Sequence, residues 1–430
     1  MKDFVLKGHI CYSSSAKQLH AFENGYVVCI DGKSAGVFGT LPQEYAGLPV
    51  IDHGDKLIIP GLVDLHIHAP QYTYRGLGMD MELLDWLYEQ AFPEESKYED
   101  LTYARKAYSI FAEAMRNSAT TRACIFASRH RPATELLMEL MEQSGIVSYV
   151  GKVNMDRDAP DGLREESAEC SAKETAGWIA ATKDKFRRTK PIITPRFIPS
   201  CTNDLMEKLG QIQSAYGVPV QSHISENQGE IELVHQLRPD DGFYGEGYDK
   251  CGLFGRDYDK NVPVKTVMAH CVWSSEEEQA LMKRNGVFIA HCPASNMNVA
   301  SGIAPIRTYL EKELKLGLGS DVAGGQSDSI FRAMTDAIQV SKLYWRVVDQ
   351  AVKPITFPEA FYMATKGGGE FFGQVGSFEA GYEFDAIVLD DSCLPHPQKL
   401  TVLQRLERAA YLSLDLKGIA AKYVAGENLF

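Results

Sequence analysis

Apolar residues along this chain fall into two periods, and the change from one to the other marks its organisation. From Phe4 to about Asp52 the text alternates over short stretches, Phe4 to Cys11, Gly25 to Ile30 and Ser34 to Gly39, with Asp31-Gly32 as a hairpin turn. Near the far end, Phe384 to Asp390 reads the same way, which predicts one small β domain assembled from both termini. Between these ends, short apolar runs alternate with segments of helical period. The runs are Leu57 to His68, Thr121 to Ser128, Val147 to Asp156, Ile192 to Pro199, Val218 to His223, Val264 to Trp273, Val287 to Pro293 and Leu316 to Asp321. Helical text separates most of them: Tyr98 to Asn117, Ala133 to Gln143, Ser171 to Lys185, Asn203 to Tyr216, and Ser274 to Asn285 with its Ser-Ser-Glu-Glu start.

Strands that alternate with helices imply parallel strands joined by crossovers, and eight such units have the size of a (β/α)8 barrel. The expectation is an α/β chain with a TIM-type barrel over 57–372. A small β-sandwich domain is expected from 1–56 and 373–430. Two long insertions interrupt the pattern. Tyr72 to Lys97 carries Trp86 and Phe92, and Pro239 to Lys260 is rich in Gly, Asp and Tyr, a composition expected of a lid at a barrel mouth.

Composition narrows the class. With 45% hydrophobic and 23% charged residues, the 430-residue chain is ordinary globular material. A formal charge of -13 repels phosphate backbones and anionic lipid at long range, so neither nucleic acid nor membrane is expected as a partner. Nine scattered cysteines without a CxxC pair suit a reduced, cytoplasmic protein. The charged opening Met1-Lys2-Asp3 does not read as a secretory leader.

In a barrel of this kind, chemistry belongs at the carboxyl ends of the strands, and reactive residues recur there. The first strand ends His66-Ile67-His68, the fifth Ser222-His223-Ile224-Ser225-Glu226, the sixth Ala269-His270, the seventh Ala290-His291-Cys292, and the eighth Gly319-Ser320-Asp321. His66 and His68, two apart on a strand, share one face. Together with His223 and Asp321 they can converge on a divalent cation with room left for water, an open catalytic arrangement. Such a cation lowers the pKa of its water toward ~7. Glu226 lies close enough to move that water's proton without binding the metal. His270 is expected beside the water. His291 reads as a packing residue in a strand-end turn. Cys271 and Cys292 each follow a histidine and are expected on the opposite side of the strand from it, outside its site. Lys152 reads as a buried ion-pair or loop-facing lysine rather than a modified bridging ligand. His9, His20, His53, His130, His235 and His396 read as surface or packing residues. There is no phosphate-cradling GxxxxGK[ST] and no GxSxG elbow.

The blocks PGLVDLHIH, SHISE, MAHC and GSDVAGG, in this order, resemble the amidohydrolase superfamily across nearly the whole chain. His68-Ala69-Pro70-Gln71, Phe92-Pro93-Glu94, Pro195 to Cys201 and Ser222 to Asn227 further resemble its guanine-deaminating branch. The resemblance implies one zinc ion per subunit on His66, His68, His223 and Asp321, with Fe2+ as the alternative metal. It implies Glu226 as proton shuttle, His270 as the histidine orienting the water, and Gln71, Arg196 and Phe197 as purine contacts. The implied reaction is hydrolysis of guanine at C2 to xanthine and ammonia in purine metabolism, by a homodimer. A related deaminase or hydrolase acting on a pterin, cytosine, an adenosine derivative or a triazine is the competing expectation. Ala294 in His-Cys-Pro-Ala-Ser-Asn departs from the pattern, which more usually has a polar residue there.

Overall fold

In the computed structural model, residues 3–257 and 260–430 are described. Met1 and Lys2 of the charged opening, and Tyr258 and Asp259 of the expected 239–260 lid, lie outside them.

Eight strands in chain order form two four-stranded parallel sheets. Leu62–His68, Thr120–Phe126, Val147–Gly151 and Thr189–Pro191 make the first; Val220–Ile224, Thr266–His270, Phe288–His291 and Lys315–Leu318 make the second. Short backbone links tie the two sheets at both margins. Ile193 bridges Val220 in parallel, while Asp321 N donates to His66 O at 2.8 Å and His68 N to Val322 O at 3.1 Å. Side chains from both sheets, including Val63, Leu65, Cys124, Val267, Ala269, Phe288, Ala290 and Cys292, pack into one apolar cluster.

Local chemistry sets the helix ends. Asp100, Thr202 and Ser275 accept hydrogen bonds from backbone N–H groups of the first turns that follow them, satisfying donors that have no partner within the helix. The helices Asn203–Tyr216 and Glu276–Asn285 stop at Gly217 and Gly286, whose φ of 65° and 69° favours glycine. Each then runs directly into a strand.

The terminal β domain is one continuous seven-stranded sheet, where two packed sheets were expected. Its order is Glu427–Asn428, Ile419–Val424, Ala386–Leu389, Val50–Pro60, Phe4–Ser15, Gln18–Ile30 and Lys33–Phe38. Long strands that shift register, as Phe4–Ser15 does between Gly8 and Ile10 and again between Ser13 and Ser15, let a single sheet bend. Phe4, Leu6, Ile10, Val27, Phe384 and Tyr423 share one of its apolar clusters. The expected run Leu57 to His68 is divided. Residues through Pro60 pair within the terminal sheet, and the parallel sheet begins at Leu62.

One buried charge cluster joins the two parts. Arg122, on a parallel strand, donates from Nε to Asp385 Oδ2 at 2.6 Å and from Nη2 to Glu383 Oε2 at 2.7 Å. Asp385 Oδ1 also accepts from Ala425 N at 2.7 Å. Arg122 and Asp385 are both buried, so removing one leaves the other as an uncompensated charge. Arg122→Ala should lower unfolding free energy by about 3–5 kcal/mol, read as a shift of the urea midpoint.

His291 is a buried imidazole whose two ring nitrogens have no hydrogen-bond partner among the described residues. Burial pushes its pKa from 6.5 down to about 3. Its folded-state pKa is depressed, so below pH ~6.5 the unfolded chain takes up a proton that the fold refuses. Stability is therefore lost as pH falls from about 6.5 toward 3. At pH 5 this amounts to about 2 kcal/mol. In His291→Leu the difference in unfolding free energy between pH 7 and 5, read from urea titrations, should shrink by about that amount.

Candidate active site

The strand Leu62–His68 is buried along its whole length, so its two histidines can be exposed only to what lies at its carboxyl end. Asp64 fixes that end against the last parallel strand. Its carboxylate accepts from His66 N and Ser320 N, both at 3.1 Å, and from Ser320 Oγ at 2.5 Å. Asp321, the next residue, is thereby held beside the histidines.

Four side chains from distant parts of the sequence then converge. His68 Nε2 lies 3.2 Å from His66 Nε2 and 3.2 Å from His223 Nε2. Asp321 Oδ1 is 3.0 Å from His66 Nε2 and 3.4 Å from His68 Nε2. His223 Nδ1 lies 2.6 Å from the carbonyl oxygen of Arg196, an acceptor that requires the proton on Nδ1 and leaves Nε2 as a lone pair. Burial and the neighbouring histidines hold His68 and His223 well below the usual imidazole range. Burial opposes ionisation of Asp321, but the surrounding imidazoles outweigh it and hold the carboxyl low.

These donors fit a metal. Ligands ~2.0–2.1 Å from a tetrahedral ion stand about 3.3–3.4 Å from one another, close to the spacings found. Without a cation, several lone pairs would face each other in a buried space. Neutral imidazole and carboxylate are ligands for zinc, iron and similar divalent ions. The four expected ligands are thus brought together.

His270 completes the cluster on the next strand, with φ at +75°. Its Nδ1 meets Asn296 Oδ1 at 2.9 Å, and its Nε2 faces Glu226 Oε2 at 3.3 Å and Asp321 Oδ2 at 3.7 Å. Glu226 is buried and accepts from Ser301 Oγ at 3.2 Å. Burial, and then the charge of Asp321, push its carboxyl well above the usual range, which favours a group that holds a proton and gives it up again.

Over this cluster lies a partly open cavity lined by His68, Gln71, Arg196, Phe197, His223, Glu226, His270, Ser295 and Asp321. Leu83, Trp86, Leu87 and Val299 supply its apolar wall. The cover comes from the 72–97 insertion. The described part of the 239–260 insertion does something else. Tyr248, in the short helix Tyr244–Asp249, is buried and donates to His223 O at 2.9 Å, bracing the strand end from behind. Ser295, rather than Ala294, faces the cavity.

Cys292 corrects the expectation made for it. Its Sγ lies within 4.8 Å of donor atoms of His270 and Asp321. Alternation does separate it from His291, but it turns the cysteine, not the histidine, toward the centre. Lys152 is a buried ion-pair residue, bonded to Glu165. The sequence reading missed Asn296, Ser301 and Glu95. Glu95 accepts from Gln71 Nε2 at 2.7 Å and Arg196 Nη1 at 2.6 Å, and its only sequence signal was its place after Phe92-Pro93-Glu94.

Comparison with known proteins agrees with this geometry. Residues 57–417 match the model of the Amidohydrolase family. A guanine deaminase of Dictyostelium discoideum is 38% identical, over 88% of this chain and 84% of its own. One from Escherichia coli is 32% identical, over 89% and 85%. A crystal structure of guanine deaminase from C. acetobutylicum with guanine in its active site superposes with a TM-score of 0.95, at 46% identity and with both chains fully covered. A clustered histidine and aspartate site at the ends of parallel strands and a family match that spans most of the chain lead to one conclusion: this chain belongs to the amidohydrolase family.

Proposed function

We propose that this protein hydrolyses guanine at C2 to xanthine and ammonia, using one zinc ion held by His66, His68, His223 and Asp321. In this reading the two parallel sheets close into a (β/α)8 barrel over about 57–372, flanked by the terminal β domain. The observation that carries it is the set of three imidazole nitrogens and one carboxylate oxygen beside a buried Glu226 of raised pKa, at the floor of a cavity with an apolar wall. Relatives named guanine deaminase, one of them with guanine bound, support the choice of substrate.

A divalent cation in this position supplies hydroxide at neutral pH. The chain's own residues do the rest. Glu226 takes the proton from the attacking water and passes it to the ring nitrogen next to C2. His270, held by Asn296, keeps its Nε2 toward the same centre. As the C2–N bond breaks, Glu226 takes the proton of the hydroxyl added at C2, leaving C2=O, and gives it to the amino group, which leaves as ammonia. Guanine is neutral, planar and rich in donors and acceptors, which suits a pocket with a stacking face and few polar groups. Phe197 offers the face, Arg196 a donor fork for the 6-oxo group, and Gln71 an amide that donates and accepts.

Purified protein incubated with guanine should release ammonia and xanthine in equal amounts, identified by chromatography. Turnover of a pterin, cytosine or triazine with none of guanine would replace the substrate. Glu226→Gln should reduce kcat by about 10²–10⁴-fold while metal content, measured by elemental analysis, stays at one zinc per chain. Arg196→Met should cost about 10- to 100-fold in kcat/KM for guanine; an unchanged value would remove Arg196 from substrate recognition.

A further inference from the structure

We propose that Glu95 sets the purine specificity of this site, as a positioning residue that fixes Gln71 and Arg196 for the 6-oxo edge of the ring. The inference rests on guanine being the substrate and assigns a role to a residue outside the cavity lining. Glu95 sits in the short helix Phe92–Ser96 of the covering insertion and is 1% exposed. Each of its oxygens takes one donor, Oε1 from Gln71 and Oε2 from Arg196. The Phe92 ring, three residues earlier, lies 4.9 Å from the Arg196 guanidinium carbon and packs against the same group.

Two consequences follow from this arrangement. First, it settles which way the Gln71 amide points. Gln71 Oε1 already accepts from Ala323 N at 3.0 Å, so the amide nitrogen must face Glu95. A flipped amide would set an oxygen against the carboxylate and an NH2 against a backbone N–H, losing both bonds. The amide is left with one N–H and one lone pair in a fixed order, which distinguishes a ring edge of the matching order from its reverse. Second, Glu95 balances the charge of Arg196 next to the cavity. The guanidinium keeps further N–H donors for a neutral carbonyl oxygen without making this wall of the pocket cationic.

The test compares guanine with 2-aminopurine, which has the same ring and amino group but no 6-oxo group. In Glu95→Gln, KM for guanine should rise about 10- to 100-fold, because Arg196 loses its charged partner and Gln71 one of the two contacts that orient it. Because Glu95 stands away from C2, kcat should move by less than about threefold. The inhibition constant of 2-aminopurine should also change by less than about threefold, since it makes no use of the 6-oxo contact. Glu95→Asp, which keeps the charge, should recover part of the loss for guanine. Equal weakening of both ligands, or a fall in kcat at constant KM, would reduce Glu95 to a tether for the insertion and overturn the proposal. If Glu95→Gln does not fold, the same comparison on Glu95→Asp decides by the same criteria. Wild-type protein that turns over guanine while Glu95→Gln is unaffected overturns the role of Glu95 alone. Wild-type protein inert toward guanine overturns the reading of the site beneath it.

Discussion

Three imidazole nitrogens and a carboxylate oxygen, each 3.0 to 3.4 Å from a neighbouring member of the set in a buried space, are the constraint on which the rest of this structure depends. Lone pairs so close repel unless a cation lies among them, and buried polar atoms without partners are costly. The surrounding residues hold this arrangement from every side. Asp64 pins the first strand to the last through Ser320, and Arg196 O fixes the tautomer of His223. Tyr248 braces the His223 backbone, and Asn296 orients His270. None of these four contacts is itself catalytic. Together they hold these donors side by side at the strand ends.

Much of this was readable in the sequence because strand geometry is simple. Two histidines two apart on a strand must share a face, and side chains at strand ends must meet if the strands are parallel and in order. Seven of the eight expected runs overlap strands of the two parallel sheets, the fourth strand, Thr189–Pro191, ending just before the expected run Ile192 to Pro199, and His66, His68, His223 and Asp321 meet. What was not readable depends on contacts between segments far apart in the chain. Glu95 and Arg196 are separated by 101 positions, and no local pattern couples them. The division of Leu57–His68 at Gly61 was hidden because both halves are equally apolar. Only the pairing partners differ: Ala386–Leu389 for one half, Thr120–Phe126 for the other.

Cys292 shows the same limit on a smaller scale. Alternation correctly placed it opposite His291, but alternation does not say which of the two faces the centre. That is decided by register: Phe288, Ala290 and Cys292 fall together in the cluster shared by both sheets. His291 is left buried with no partner among the described residues, and accordingly neutral. Likewise, composition identified two long insertions and not what each one does. The one richer in Gly and Asp sets the buried Tyr248 against the His223 backbone, while the one with Leu83, Trp86 and Leu87 covers the cavity. Large apolar side chains contribute more by closing a pocket to water than small polar ones can.

Charge ties substrate choice to the site. The chain carries a net charge of -13, yet the cavity is close to balanced locally. Arg196 is paired with Glu95, and Asp321 is surrounded by imidazoles that a cation would turn into ligands. Burial and the neighbouring Asp321 disfavour the charged form of Glu226. An anionic ring would meet the acidic field of the whole protein on approach and no unpaired cationic side chain on the Arg196 wall. A cationic ring would have to enter beside a divalent ion. A neutral heterocycle with donors and acceptors on its edges avoids both penalties, and on the proposed reading of the site discrimination among such rings would fall to the order in which Gln71 and Arg196 present their N–H groups and lone pairs.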